Sequence, residues 1–297
     1  MTTPYRCILL LAMLVLPLGW GKRLPPAVKA LYQSIRTQER CQNVYATGFH
    51  SAEGDGGDFE YCADHLASNN ILYIRGTSHA LANMDIDCDG DQQATTPDDN
   101  PCASSTDTQS QTSFSDTIKS FDAGISDLNP HVHPYVVFGN DGTRPDWPVY
   151  RPQSHHVQPL SVMAVVCNKK LIYGIWGDIN GDDGQQPMIG EASISLATAC
   201  FGPSMTGNNG HEENDILYLA FPGAEAVVGP DAAWNASSYR DFARSIEPIG
   251  DALVKRRIGD TSKAIKGARP RLLVLALIVG VLMLAFPAPP PNFCYSR

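Results

Sequence analysis

The sequence predicts a mainly β domain with a few helices. Three observations carry this. Short β-branched and aromatic runs recur, at 70–75, 136–138, 162–166, 171–176 and 216–221. The 297 residues include 25 Gly and 22 Pro, which punctuate those runs as turns. Long polar stretches separate them, and only two segments show a strong helical period. A 43% hydrophobic fraction is enough for a real core, and the length allows one large domain or two small ones.

In chain order, residues 1–21 read as a signal peptide: Arg6, then an apolar run from Cys7 to Leu18, then small residues at Gly19 and Gly21. A membrane anchor is the alternative, but the run is short for a span. Residues 25–40 have the helical period, with Val28, Leu31 and Ile35 on one face. Residues 83–91 are strongly acidic. If they form a strand, Asp85, Asp87 and Asp89 line one face. A calcium loop starting at Asp85 would have Gly90 at its sixth place but Thr96 at its twelfth, and no helix precedes it. These acids therefore either contact substrate or tie down backbone groups in a turn. Residues 92–116 are polar, with Cys88 and Cys102 placed to staple them, and read as a long loop inside one domain.

His131, His133, His155 and His156 form His-x-His and His-His pairs without fitting Cys or Glu spacing. They read as structural or surface histidines, and no metal is expected. The run 162–166 is apolar throughout, as for a strand buried on both faces. At 171–176 a second strand leads into turn dipeptides at 180–181 and 183–184, and Glu191 follows thirteen residues after Asp178. With period 2, Ile172, Gly174, Trp176 and Asp178 share a face, which sets an indole beside a carboxylate. One loop can bring Asp178 and Glu191 together, and paired carboxylates are the working parts of a glycosidase. A calcium loop starting at Asp178 fails, because Asp183 and Ile189 fall where Gly and Glu are required. Residues 191–201 read as a short helix stopped by Gly202 and Pro203.

The strings YGIWGDINGDDG at 173–184, PLSVMAVVCN at 159–168 and GEASISLA at 190–197 resemble the fungal chitosanases of glycoside hydrolase family 75. NNGH at 208–211, ILYLAF at 216–221 and NMDIDCDG at 83–90 fit the same pattern, so the resemblance runs from about 25 to about 257. It implies endo-hydrolysis of β-1,4-linked glucosamine chains with inversion, without a cofactor, and it places the paired catalytic acids on Asp178 and Glu191. Inversion asks for roughly 6.5–9.5 Å between the two carboxyl groups. Glu191 is assigned as acid and Asp178 as base, against one tension: a glutamate at a helix start has its pKa lowered, where an acid needs it raised. Trp176 is the expected sugar platform, with Trp147 and Tyr150 behind it. Asp182, Asp183, Asp85 and Asp87 are the expected partners of the substrate ammonium groups. A compact β-barrel core of double-psi type follows by analogy with other inverting glycosidases. A catalytically silent wall-binding protein on the same scaffold is the competing reading, and hydrolysis of a neutral glucan is a third.

Residues 22–260 hold 16 basic and 31 acidic side chains, a net charge of −15. Such a surface repels nucleic acid and suits a cationic polysaccharide such as chitosan. Six cysteines, Cys41, Cys62, Cys88, Cys102, Cys167 and Cys200, permit three disulfides in a secreted chain. Asn235 opens a glycosylation sequon. Residues 239–254 form an amphipathic helix that Pro248 should kink or split. The catalytic domain is expected over 22–260 and as a monomer. Beyond it, 261–297 begins basic, becomes apolar at 272–286 and continues past that run from Pro287 to Arg297. A membrane span, a lipid-anchor signal at Ser262, either one attaching the protein to membrane or wall, and a gene-model artefact stand side by side.

Overall fold

The structure, a computed structural model, describes residues 21–92, 100–182 and 184–259. The segment up to Trp20, where a signal peptide is expected, Asp183 and the tail from Asp260 onward lie outside the described residues. The fold is mainly β, with ten strands and five α-helices among the described residues.

The order is β1 (Lys22–Arg23), α1 (Pro26–Arg36), β2 (Val44–Phe49), β3 (Phe59–Cys62), α2 (Leu66–Asn69), β4 (Leu72–Gly76) and β5 (Ala82–Asp87). Then follow α3 (Ser115–Ser120), β6 (Tyr135–Asn140), β7 (Val162–Cys167), β8 (Lys170–Asn180) and β9 (Glu191–Ser193). The order ends with α4 (Ile194–Phe201), β10 (His211–Ala220) and α5 (Tyr239–Arg257). The strand runs expected from sequence fall within or across β4 to β8 and β10. The hairpin β2–β3 was not expected, because its sequence mixes Gly, Thr and Glu into a short apolar run.

Strand pairing closes on itself. β8 pairs with β6, β6 with β9, β9 with β5, β5 with β10, and β7 joins β10 back to β8. Two of these pairs, β5–β9 and β6–β8, are parallel, and the other four are antiparallel. β7 is buried along its whole length, as its unbroken apolar run predicted. β4, β3 and β2 extend the sheet outward from β10. Arg75 on β4 is fully buried, and its guanidinium is spent on the carbonyls of Gly76, Ile35 and Gln38, which locks the C-terminal end of α1 to the sheet. Three disulfides, Cys41–Cys62, Cys88–Cys102 and Cys167–Cys200, use all six expected cysteines.

Three local expectations are corrected. First, Trp176 and Asp178 do not share a face. β8 carries a bulge against β6: Val136 pairs with Trp176, but Val137 pairs with Asp178. The extra residue is Gly177, where a Cβ would lie 2.5 Å from the Cβ of Tyr135, so glycine is needed at that close approach. Second, Glu191 is not in a helix. Residues 191–193 are strand, and α4 starts at Ile194 with the Ser193 hydroxyl accepting from the Leu196 N–H as its cap. Third, Pro248 does not split α5, which runs through it as a single element. Its face of Phe242, Ile246 and Leu253 packs into the core, which outweighs the one hydrogen bond that proline removes.

Candidate active site

Four neighbouring strands set one row of side chains. Glu191 of β9 is in register with Asp85 of β5 on one side and with Val137 of β6 on the other. Val137 is in register with Asp178 of β8. Cross-strand partners point to the same face, so Asp85, Glu191, Val137 and Asp178 form one line. Asp178 and Glu191 thus flank the same residue from either side. Two strand spacings of about 4.8 Å place their Cα atoms roughly 10 Å apart. The bulge at Gly177 turns Asp178 into this row, and Gly190, at φ +91°, makes the turn that delivers Glu191.

A second row lies one pleat away: Asp87 of β5, Ser193 of β9 and Tyr135 of β6. Asp87 is in register with Ser193, whose hydroxyl accepts from the Tyr135 N–H at 3.0 Å. The Tyr135 O–H lies 3.0 Å from both Asp87 Oδ1 and the Asp89 carbonyl. The Asp89 N–H donates to Asp87 Oδ1 at 2.6 Å.

The polar loop reaches the site. Ser113 donates to Asp178 Oδ1 from its N–H at 2.9 Å and also from its hydroxyl. The N–H of Ile179 adds a third bond to the same oxygen at 2.8 Å. Ser113 is held in turn by Thr112, whose N–H and hydroxyl bind the carboxylate of buried Asp127. Phe114 packs edge-on against Trp176, with ring centroids 4.9 Å apart. The Cys88–Cys102 bridge staples the start of this loop, as expected.

Electrostatics separate the acids. Asp178 is 5% exposed, and burial pushes its carboxyl up to about 6 although the Ser113 and Ile179 bonds pull it down. Burial also raises Asp85 to about 7, with Asn83 donating to it at 3.0 Å and Glu212 and Glu53 adding repulsion. Asp87 is pushed well above the usual carboxylate range, first by burial and then by Glu191, Asp178 and Asp89. The oxygens of Asp87, Asp89 and Asp178 lie within 4.8 Å of one another. Converging O–H and N–H donors answer that charge. The other cluster of metal-ligating types, Cys41, Glu60 and Cys62, is a disulfide beside a carboxylate that takes the Cys41 N–H.

The sequence-predicted site residues divide. Asp178, Glu191, Asp85 and Asp87 come together in the two rows. Trp176 is fully buried, and its indole N–H donates to the Asp178 carbonyl at 2.9 Å, so it has no free face for a sugar ring and the platform expectation is corrected. Tyr150 is buried too, in a stack with Tyr61 and His155. Trp147 is half-buried under the Arg144 guanidinium. Asp182 spends its carboxylate on Thr143 and Arg144, which ties the 141–144 loop to the β8 turn. Asp183 lies outside the described residues. His133 is buried, accepting from the Asn129 N–H at Nδ1 and bonded to the Trp234 carbonyl at Nε2, which is the structural role expected. Asn235 is exposed, as a sequon requires. Sequence reasoning missed Ser113 and Tyr135. Nothing in the spacing of a polar loop marks which hydroxyl reaches a strand 65 residues away.

Paired carboxylates on β8 and β9, the strands on either side of β6, define a glycoside hydrolase type of site. Residues 84–256 match the fungal chitosanases of glycosyl hydrolase group 75. An endo-chitosanase of Aspergillus fumigatus is 43% identical over 233 residues, covering 78% of this chain and 90% of that protein. Endo-chitosanase B of Aspergillus oryzae is 41% identical over the same shares. Endo-chitosanase C of that organism is 32% identical over 181 residues, 59% of this chain and 38% of that protein. The chain belongs to this family of fungal chitosanases.

Proposed function

We propose that the protein is a secreted endo-chitosanase that cleaves β-1,4 bonds between glucosamine units with inversion, Glu191 acting as general acid and Asp178 as general base. One observation carries this reading: Asp178 and Glu191 are both in register with Val137, one on each side of β6. Their Cα separation of roughly 10 Å suits carboxyl groups about 6.5–9.5 Å apart, the spacing that leaves room for an attacking water. A retaining pair would sit only about 5 Å apart.

The roles follow from the donors. Three bonds on Asp178 Oδ1 favour its charged form and leave Oδ2 to take the proton of the water. The proton leaves water as its oxygen attacks the anomeric carbon, while Glu191 gives its own proton to the departing glycosidic oxygen. Glu191 precedes the cap of α4 and stands outside the first helical turn. Asp85, beside Glu191 and half-buried, is positioned to receive a substrate ammonium. That cation would draw Asp85 back to its charged form. The excess of acidic side chains favours a cationic polymer, and three disulfides fit an oxidising, extracellular setting.

The test is proton NMR of glucosamine hexamer during digestion. Shorter oligomers appearing first as the α-anomer support the reading. The β-anomer appearing first would make Asp178 a nucleophile, and binding without cleavage would make the protein a polysaccharide binder.

A further inference from the structure

Asp87 has no part in the reaction as proposed, yet it stands beside both acids that do. It is 5% exposed. Acidic groups face it from three elements: Glu191 from β9, Asp178 from β8 and Asp89 from the loop after β5. The phenol of Tyr135 faces it from β6. Asp87, Asp89 and Asp178 bring carboxylate oxygens within 4.8 Å of one another, and carboxylates so crowded and desolvated do not all ionise together.

The donors show which acid keeps a proton. Asp178 has three on one oxygen, and Asp89 takes the Gln109 N–H at 2.6 Å. At Asp87 the Tyr135 O–H and the Asp89 N–H both meet Oδ1, and Tyr135 divides its single proton between that oxygen and the Asp89 carbonyl. Oδ2 is then the atom to carry a hydrogen, with Asp178 as acceptor, directly or through one water, since carboxylate oxygens of the two residues lie within 4.8 Å.

We propose that Asp87 is a positioning residue of the reaction, a buried carboxylic acid beside Glu191 and Asp178 that holds its proton and directs it toward Asp178, so that Asp178 stays charged. Burial of Asp87 among like charges agrees with this. The inference rests on the roles proposed for Asp178 and Glu191.

Two variants test it. Asp87→Asn keeps an N–H donor without the acidic proton, and Asp87→Leu keeps the volume and removes the donor. The first reading is the infrared difference spectrum between wild type and Asp87→Asn, at mildly alkaline pH. The expected result is a protonated-carboxyl band present in wild type and lost in the variant; its absence would overturn the proposal. The second reading is the pH dependence of kcat/KM on glucosamine hexamer. The acid limb of Asp87→Leu should lie about one pH unit above that of Asp87→Asn, since losing a hydrogen bond to a charge is worth about 1.5 kcal/mol or more. Coincident limbs would reduce Asp87 to a structural part. If Asp87→Leu does not fold, the infrared pair decides alone. Wild type that fails to cleave would end the proposed function and leave the infrared result standing.

Discussion

Asp178 and Asp182 lie four residues apart, on β8 and in its turn, and the same device holds both. Each carboxylate accepts the N–H and the hydroxyl of one loop residue, Ser113 for Asp178 and Thr143 for Asp182. Each takes one further backbone N–H, from Ile179 or Arg144. Asp127 repeats the device with Thr112 and the Leu128 N–H. Yet the two acids diverge. Asp182 lies at the surface, where the Thr143 bonds hold its carboxyl below the usual range. Asp178 is enclosed, and burial lifts it to about 6 in spite of its bonds. The hydrogen bonds fix where a carboxylate points. Between these two acids, burial separates the clamp from the group that trades protons near working pH.

The largest break in that comparison is Asp178→Asn. Turnover of glucosamine hexamer should fall about a thousandfold or more, the upper part of the range for a lost general base. The same variant should gain stability near neutral pH. A carboxyl at about 6 in the fold and 3.8 otherwise favours folding below about 4, and that contribution is lost as pH rises toward 6. Asparagine escapes the loss, worth up to about 3 kcal/mol, which urea unfolding at acidic and neutral pH will read. Equal stabilities at neutral pH would mean that Asp178 is not strained by burial.

A smaller effect sharpens the comparison. Ser113→Ala removes a hydroxyl donor from the Asp178 anion and so raises that carboxyl further. The acid limb of kcat/KM should move up by about one pH unit, with roughly tenfold less activity on the acidic side. An unmoved limb would assign Ser113 to loop anchoring alone, the part Thr143 plays at Asp182.

Much of this was legible in sequence because strands write themselves in side-chain period. The runs at 162–166, 171–176 and 216–221 became β7, β8 and β10, and helix periodicity found α1 and α5. The two central acids were legible as a motif. What failed had physical causes. The shared face of Trp176 and Asp178 assumed an unbroken period, and a one-residue bulge at Gly177 reverses every side chain after it. The helix start at Glu191 was misplaced because strand β9 is three residues long and runs straight into α4. Pro248 lies in a helix whose apolar face is strong enough to carry it. Ser113 and Tyr135 stayed hidden because they reach the acids through long-range packing, which no local spacing records.

The central claim is that burial, acting against the same kinds of hydrogen-bond donor, separates Asp178 from Asp182. A carboxyl carbon-13 NMR titration of the aspartates, assigned with Asp178→Asn and Asp182→Asn, reads both in one sample. The account predicts Asp178 titrating near 6 and Asp182 below the usual aspartate value. Asp178 titrating alongside Asp182 would contradict it.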